Sequence, residues 1–577
     1  MSTLDIPNYS DRDTSATSTL AAESILGEKV SEFSLRRNYD EHEENARIIT
    51  PLELQEAGAD DGDDDDEYPT GVKLFCVVVA LVLSMFLLSL DQTIVATAIP
   101  KITDEFHGLE KVGWYGSAYF MTVGGFQSTW GKIYKYFPLK FSFLISLLIF
   151  EVGSLICGVA PNNNTLIAGR AIAGVGAAGA AAGIYTIIAF AVPPVKRPAF
   201  TGIIGAAYGL ASVIGPVLGG AFTDKLSWRW CFYINLPIGG VSAIIIMLFF
   251  KTPKKAVPEK ATLTEKILQM DLGGVALIMG AVITYILALQ YGGVSHAWNS
   301  SLVIGLLVGF GLIVIAWAVL QWYQGERSMI PPRLFTDRTN FVMCICIFFL
   351  AGGFFTVIYY LPIYFQSVFG VSPTMSGVRN LPFIIATTIG TIASGVVVTA
   401  TGYYQPWLLG GGAISAIGCG LLYLLEVDTS MGKWIGYQVV VGLGLGASFQ
   451  IPVIAVQGSA KPEDLSSVTG MLLFFQGLGG AFIAAASQSA FINQMIHHAL
   501  KVVPAMYKPV LIVTGATDIR KAFPSDIQPQ VIESYMAGLR VVFAIGIAGC
   551  GLTLIPALGM RWKRLKQEDL KNAGGVA

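Results

Sequence analysis

Residues 209–220 read GLASVIGPVLGG, a Gly-Pro and a Gly-Gly set inside an apolar run that extends over 198–222. The run has the ~20 residues that a helix needs to cross a ~30 Å hydrocarbon core. In a helix interior glycine costs about 1 kcal/mol and proline about 3 relative to alanine, so this stretch carries a defect that packing has to offset. Small residues supply such packing in a bilayer. Gly202, Gly205, Gly209, Ser212, Pro216 and Gly219/Gly220 step by three or four, a small-residue face that lets a second helix approach closely. Pro216 also frees the carbonyl of Ser212 and marks a bend. A helix with that face belongs among other membrane helices.

The rest of the chain agrees. Of 577 residues, 53% are hydrophobic and 13% charged, and the mean hydropathy is +0.61, values outside the range of soluble globular domains. Apolar runs recur from 73–98 through 113–131, 140–160, 165–190, 198–222, 231–250, 271–290, 301–322, 341–366, 378–400, 406–426, 433–457 and 466–490 to 536–560. We therefore expect an all-α integral membrane protein of fourteen spans. Residues 1–71 are polar and end in an acidic cluster, DDGDDDDEYP, the composition of a disordered cytoplasmic tail. They contain no apolar stretch with a cleavage site, so the first span is expected to direct insertion.

Loop charge sets the orientation. With both termini on one side, the short loops there carry Lys132, Lys135, Lys140, Lys196, Arg197, Lys251, Lys254, Lys255, Lys260, Lys266, Arg327, Arg333, Arg338 and Lys461, whereas the opposite loops carry few basic residues. That bias places both termini in the cytosol, as does the basic tail 561–577 with its RWKRLK. Sequons at Asn163 (NNT) and Asn299 (NSS) fall in outside loops and are candidate glycosylation sites. The seven cysteines lie in or beside spans, with no disulfide framework and no metal-ligand spacing.

The chain repeats itself. A shift of 268 residues lays GRAIAGVG (169–176) on YQVVVGLG (437–444) and TGIIGAAYG (201–209) on TGMLLFFQG (469–477), and a shift of 264 lays Gly131 on Gly395. Two six-span halves, 72–250 and 341–560, are therefore expected around a linker unit, 251–340, that holds two extra spans. The second half includes a long outside loop, 491–535. Paired six-span repeats that bracket a central cavity are a transporter plan.

Four segments give the chain a family likeness. LDQTIVATAIP (90–100), GKIYKYFPLK (131–140), LIAGRAIAGVG (166–176) and GPVLGG (215–220) resemble the signatures of the fourteen-span drug:proton antiporters of the major facilitator superfamily, closest to fungal toxin and multidrug efflux pumps. The resemblance implies the major facilitator fold: two six-helix bundles plus two central helices. It implies proton coupling at Asp91 with Arg170, Glu151 being a second intramembrane acid, and antiporter gating at Gly209, Gly215, Pro216, Gly219 and Gly220. In the loop motif Gly131, Lys132 and Lys140 fit the family. The acidic position is Lys135, so the usual charge relay from that loop is not expected. Arg170 aligns with Gln438 and Pro216 with Ala484 in the second half, so charge and kink belong to one half only.

A set of aromatic and amide side chains forms the expected cavity: Tyr119, Gln127, Tyr208, Gln290, Tyr359, Gln366, Gln450, Phe475 and Gln476. Uncharged hydrogen-bonding groups on apolar walls suit a small amphipathic organic molecule. The expected function is proton-coupled efflux of such a molecule, a toxin, secondary metabolite or drug, by alternating access. The proton gradient would drive it, with no cofactor, metal or nucleic acid, and no Walker loop is present. The protein is expected to act as a monomer in the plasma membrane, the vacuolar membrane being the alternative. Two other readings stay open: a fourteen-span vacuolar amino-acid transporter, and a transport-like nutrient sensor that signals through its tails. No nucleophile or acid–base constellation in the spans suggests an enzyme.

Overall fold

The computed structural model describes residues 68–106, 112–253, 256–503 and 519–560, together with Trp562 and Arg564. The acidic part of the 1–71 tail and nearly all of 561–577 lie outside the described residues. The first half runs through α1 (Gly71–Phe106), α2 (Val112–Tyr136), α3 (Leu139–Gly158), α4 (Asn163–Ala191), α5 (Arg197–Lys225) and α6 (Asn235–Phe249). The linker helices are α7 (Leu272–Tyr291) and α8 (Ser301–Gln324). The second half follows with α9 (Arg338–Phe369), α10 (Leu381–Thr401), α11 (Gln405–Tyr423), α12 (Met431–Phe449, continued by Ile451–Ser459), α13 (Leu465–Val502) and α14 (Gln528–Leu552).

Thirteen of the described helical stretches are long and apolar enough to cross a membrane. The remaining long helix is α2, whose hydropathy is lowered by Thr122, Gln127, Ser128, Thr129 and Lys132, all buried against protein. Its polarity faces inward, so among the described residues fourteen long helices form the bundle.

The repeat is visible in the helix boundaries. A shift of 268 residues carries the start of α4 at Asn163 to the start of α12 at Met431, the 3-10 turn at Pro194 to the turn at Pro462, and the start of α5 at Arg197 to the start of α13 at Leu465. The halves meet at two equivalent seams, α2 against α13 and α5 against α10. α7 packs on both α2 and α13, while α8 packs chiefly on α7 and is the least buried span. Asp271 caps α7 by accepting from the Gly274 amide at 2.8 Å, as its place before the apolar run implies.

Two boundaries depart from expectation. The 433–457 run bends at Gln450, just before Pro452, which has no amide proton to continue the ladder. The stretch 491–535 is not one long loop, because α13 continues to Val502 and α14 begins at Gln528. The helix outlasts its apolarity through Gln494, His497, His498 and Lys501, so hydropathy marked the edge of the bilayer and not the end of the helix. Residues 504–518 of that stretch lie outside the described residues.

Candidate transport cavity and buried charge cluster

Between the two bundles lies a cavity of about 670 Å³, within the range of small-molecule sites. Of the expected wall, Tyr119, Gln127, Tyr208, Gln290, Tyr359, Gln450 and Gln476 line it. Gln366 and Phe475 do not. Gln366 sits a turn beyond Ile363, the last α9 residue on the wall. Phe475 is rotated away from its neighbour Gln476 and stacks on Phe335, with centroids 5.5 Å apart. The cavity also takes in Gln92, Phe354, Phe355, Thr387, Thr391, Phe449 and Gln488, which period alone does not single out. No described lining residue is charged. Polar groups on the wall are held by one another: the Tyr208 hydroxyl donates to Gln92 Oε1 at 2.9 Å.

The cavity is shut at the end that carries the basic loops. The Tyr185 hydroxyl donates to Gln450 Oε1 at 3.3 Å, and Gln457 Nε2 donates to the Tyr185 carbonyl at 3.2 Å. Below them α2 crosses α13 at two glycines. A Cβ on Gly131 would lie 2.7 Å from the Ser466 carbonyl oxygen, and one on Gly470 2.8 Å from the Gly131 Cα. At the other seam the Ala199 amide donates to Thr399 Oγ1 at 3.1 Å. Among the described residues, the hydrogen bonds and ion pairs joining the two bundles all lie on this basic side. The wall on the other side reaches Ile99, Val294 and Ile492.

An ion network reinforces the closure. Asp464, at the foot of α13, takes two 2.9 Å bonds from Arg333 and lies 3.6 Å from Lys135 Nζ. Lys135 also meets Glu259 at 3.1 Å, and Arg333 meets Glu326 at 3.0 Å. The loop-to-helix contact thought lost when Lys135 replaced the family acid is present with its charges reversed. Burial alone would lower the Lys135 ammonium pKa, but Glu259 and Asp464 outweigh it and raise it above its ordinary value. Arg333 is likewise raised, chiefly by its bonds to Asp464 and Glu326. Lys132 is buried and donates to Gln269 Oε1 at 3.0 Å and to the Glu326 carbonyl at 2.6 Å. Lys140 donates to the Met247 carbonyl at 2.7 Å.

Behind the wall sits a second cluster. Asp91 and Arg170 are buried and joined at 2.6 Å. Arg170 Nε donates to the Tyr115 carbonyl at 2.9 Å, and the Tyr119 ring lies 4.3 Å from the guanidinium. Asn235 donates to Asp91 Oδ1 and to Ser154 Oγ, each at 3.1 Å. Neither Asp91 nor Arg170 reaches the cavity; Tyr119 stands between. Asn235 was missed in the sequence, although a lone carboxamide in CFYINLPIGG was its signal. Glu151 lies nearby on α3, both carboxyl oxygens buried with no hydrogen-bond partner, so close to α6 that a Cβ on Gly239 would overlap it.

The glycine-proline stretch serves two neighbours. Gly202, Gly205 and Gly209 face Thr391, Gln450 and Thr388, whereas Gly215 faces α1, where a Cβ would overlap Thr93 Oγ1. Pro216 lies inside the unbroken α5, and Gly219 and Gly220 near its end. α5 therefore touches both α1, two residues from Asp91, and the opposite bundle. The Asn163 carboxamide accepts from the Tyr115 hydroxyl and donates to the Phe106 carbonyl at 3.5 Å, while Asn299 is exposed.

Comparison with known proteins agrees with this architecture. The profile of the Major Facilitator Superfamily matches residues 81–484. The MFS-type transporter grgE of Penicillium sp is 54% identical over 512 residues, covering 89% of this chain and 90% of that protein. The probable efflux pump gsfJ of Penicillium aethiopicum is 54% identical over 514 residues, covering 89% and 92%. The MFS-type efflux pump MFS1 of Trichophyton rubrum is 43% identical over 504 residues, covering 87% and 94%. Among solved structures, the proton:xylose symporter XylE superposes with a TM-score of 0.55 at 14% identity, over 86% of this chain and 98% of that one. A bacterial homologue of the lysosomal transporter Spinster superposes at 0.54 and 16% identity, over 86% and 100%. These two share the fold alone. With two six-helix bundles, an interposed helix pair and a central cavity, the chain is a transporter of the major facilitator superfamily and not an enzyme.

Proposed function

We propose that the protein exports small amphipathic organic molecules in exchange for protons, and that the structure is the outward-facing stage of its cycle. The observation that carries this reading is the uncharged, aromatic and amide-lined cavity, sealed at the basic end by contacts between the bundles. The basic end faces the cytosol, so both termini and the acidic tail are cytosolic and the exposed Asn299 is outside. The plasma membrane is the destination we favour, with one chain forming the pump. An amino acid would want ionic partners for its ammonium and carboxylate, and the wall offers none; the efflux-pump names of several relatives point the same way.

Coupling follows from the buried cluster. Both Asp91 oxygens accept bonds, one from Arg170 and one from Asn235. A proton arriving on Asp91 weakens the charge-assisted bond that ties α1 to α4, and Arg170 then leans on Tyr119 and hence on the cavity wall. Glu151 is the second acid through which a proton passes. The protonation state thereby biases the balance between two packings of the same bundles. No bound group takes part, and the proton gradient supplies the energy.

Inside-out vesicles test this. With a fluorescent amphiphile outside and an acid interior, wild-type protein should accumulate dye as long as the gradient lasts. Asp91→Asn should abolish gradient-driven uptake at equal expression, and Glu151→Gln should reduce it. Uptake that persists after the gradient is collapsed would remove proton coupling, and full activity in Asp91→Asn would take that residue out of the pathway.

A further inference from the structure

α7 is tied unequally to its two neighbours. It contributes Ile286, Leu289 and Gln290 to the cavity wall, so it closes the α2–α13 seam on one flank. On the α13 side it is bound in its outer half. The Tyr285 ring lies 4.7 Å from that of Phe482, and its hydroxyl donates to the Phe482 carbonyl at 3.3 Å. Just past the helix, Asn493 Nδ2 donates to the Gly292 carbonyl at 3.1 Å and Trp298 Nε1 donates to Asn493 Oδ1 at 3.4 Å.

On the α2 side the bonds are confined to the basic end. Thr129 donates to the Met270 carbonyl at 3.2 Å, and Lys132 to Gln269 at 3.0 Å. A turn further out the helices press together, since a Cβ on Gly125 would lie 2.7 Å from Met279 Cγ. Beyond Gly125 the character changes. Trp114, Ser117 and Met121 meet Val282, Ile283 and Leu287 around a void of about 10 Å³. Among the described residues no hydrogen bond joins α2 to α7 there. The void shares Ser117, Ile286 and Gln290 with the main cavity, so the two adjoin with only these side chains between them.

We propose that the outer half of the α2–α7 contact is a lateral slit, through which an amphipathic cargo passes from the cavity into the outer leaflet of the bilayer. When the second bundle swings further from the first than in this outward-facing packing, the outer half of α7 follows α13. The α2–α7 contact then parts, because among the described residues no hydrogen bond holds it there. Parting exposes no unsatisfied backbone, since both elements are helices. A cargo leaving this way keeps its apolar part out of water, the costly medium for apolar surface.

The inference rests on the efflux reading, and one experiment separates the two. Met121→Cys and Ile283→Cys line the void from opposite helices and are outside the main cavity wall. In proteoliposomes, the double variant is cross-linked with a short bifunctional methanethiosulfonate and later released with reductant, wild type being treated identically. Two probes are followed: octadecyl rhodamine B, which stays in the membrane, and ethidium, which is water-soluble. The expected result is loss of octadecyl rhodamine transport on cross-linking, unchanged ethidium transport, and full recovery on reduction, which also shows that the fold survived. Octadecyl rhodamine transport untouched by the cross-link overturns the slit. Equal loss of both probes also overturns it, because the cross-link would then merely stall the rocking. If the uncross-linked protein moves neither probe down a proton gradient, the efflux reading itself fails and the slit falls with it.

Discussion

Arg170 is the largest of the fully buried side chains, and a buried charge is tolerated only with partners. Removing one member of a buried pair typically costs about 3–5 kcal/mol, because the other charge is left uncompensated. We therefore expect Arg170→Gln to lower the thermal unfolding temperature of the detergent-solubilised protein sharply. The double variant Arg170→Gln/Asp91→Asn should regain most of the loss and still not transport. If Arg170→Gln alone unfolds like wild type, the pair is not the brace that its geometry describes. At this scale the sequence was informative where polarity is rare. Two charges in apolar runs announced Asp91 and Arg170, whereas Asn235, which holds the second Asp91 oxygen, drew no attention because an amide in a span is common. Gln366 and Phe475 went astray for another reason: composition names a residue type suited to a wall, but depth along the helix and rotation about it decide whether the wall is reached.

The two seams between bundles are built alike and locked differently. Gly131 on α2 meets Ser466 and Gly470 on α13, and Gly395 on α10 meets Pro198 on α5; the shifts of 264 and 268 residues interchange the two sets. Among the described residues, only the α2–α13 seam adds ions, through Lys135 and Asp464. Hydrogen bonds to charged groups contribute about 1.5–3 kcal/mol each. Across the seam, however, Asp464 meets Lys135 at 3.6 Å, so removing it should cost the closed form about 1 kcal/mol and shift its population by roughly five- to tenfold. Asp464→Ala should thus make a cysteine introduced at Ser466 far more reactive toward a membrane-impermeant maleimide added from the cytosolic side. Lys135→Arg should leave it protected, and equal labelling in Asp464→Ala and its parent would show that the ions are ornament on a glycine-packed seam. The repeat and the pairing of helix starts were legible because identical offsets recur in separate spans. The lock was not, since Lys135 and Asp464 lie over three hundred residues apart and the family pattern led away from a pairing of reversed sign.

For the whole molecule, the question is which charges respond to pH while the cycle turns. The ion lock at the basic end should not. Lys135 and Arg333 are held above their ordinary values, so the stability they give the closed end is fully present below the ordinary lysine pKa of about 10.4 and is lost only as pH rises through the higher folded values. An ordinary carboxylate titrates near 4. Between pH 5 and 8, then, the lock stays ionised and the closed end keeps its contacts. We assign pH dependence of transport in that window to the intramembrane acids Asp91 and Glu151; the competing group is Lys132 at the basic end, whose ammonium burial pushes down to about 7. A pH–rate profile measured across pH 5–8 with the gradient held constant should keep its shape in Lys135→Arg and Arg333→Lys, whatever happens to its height. It should flatten in Glu151→Gln, which keeps reduced transport, whereas Asp91→Asn should show no transport at any pH in the window. A profile that moves with the lock variants and ignores Glu151→Gln would place the titrating group at the basic end and reverse this assignment. The division has a physical basis: a lock made of strong, permanently charged partners sets how firmly the closed end is held, and a switch has to be made of groups whose charge can change.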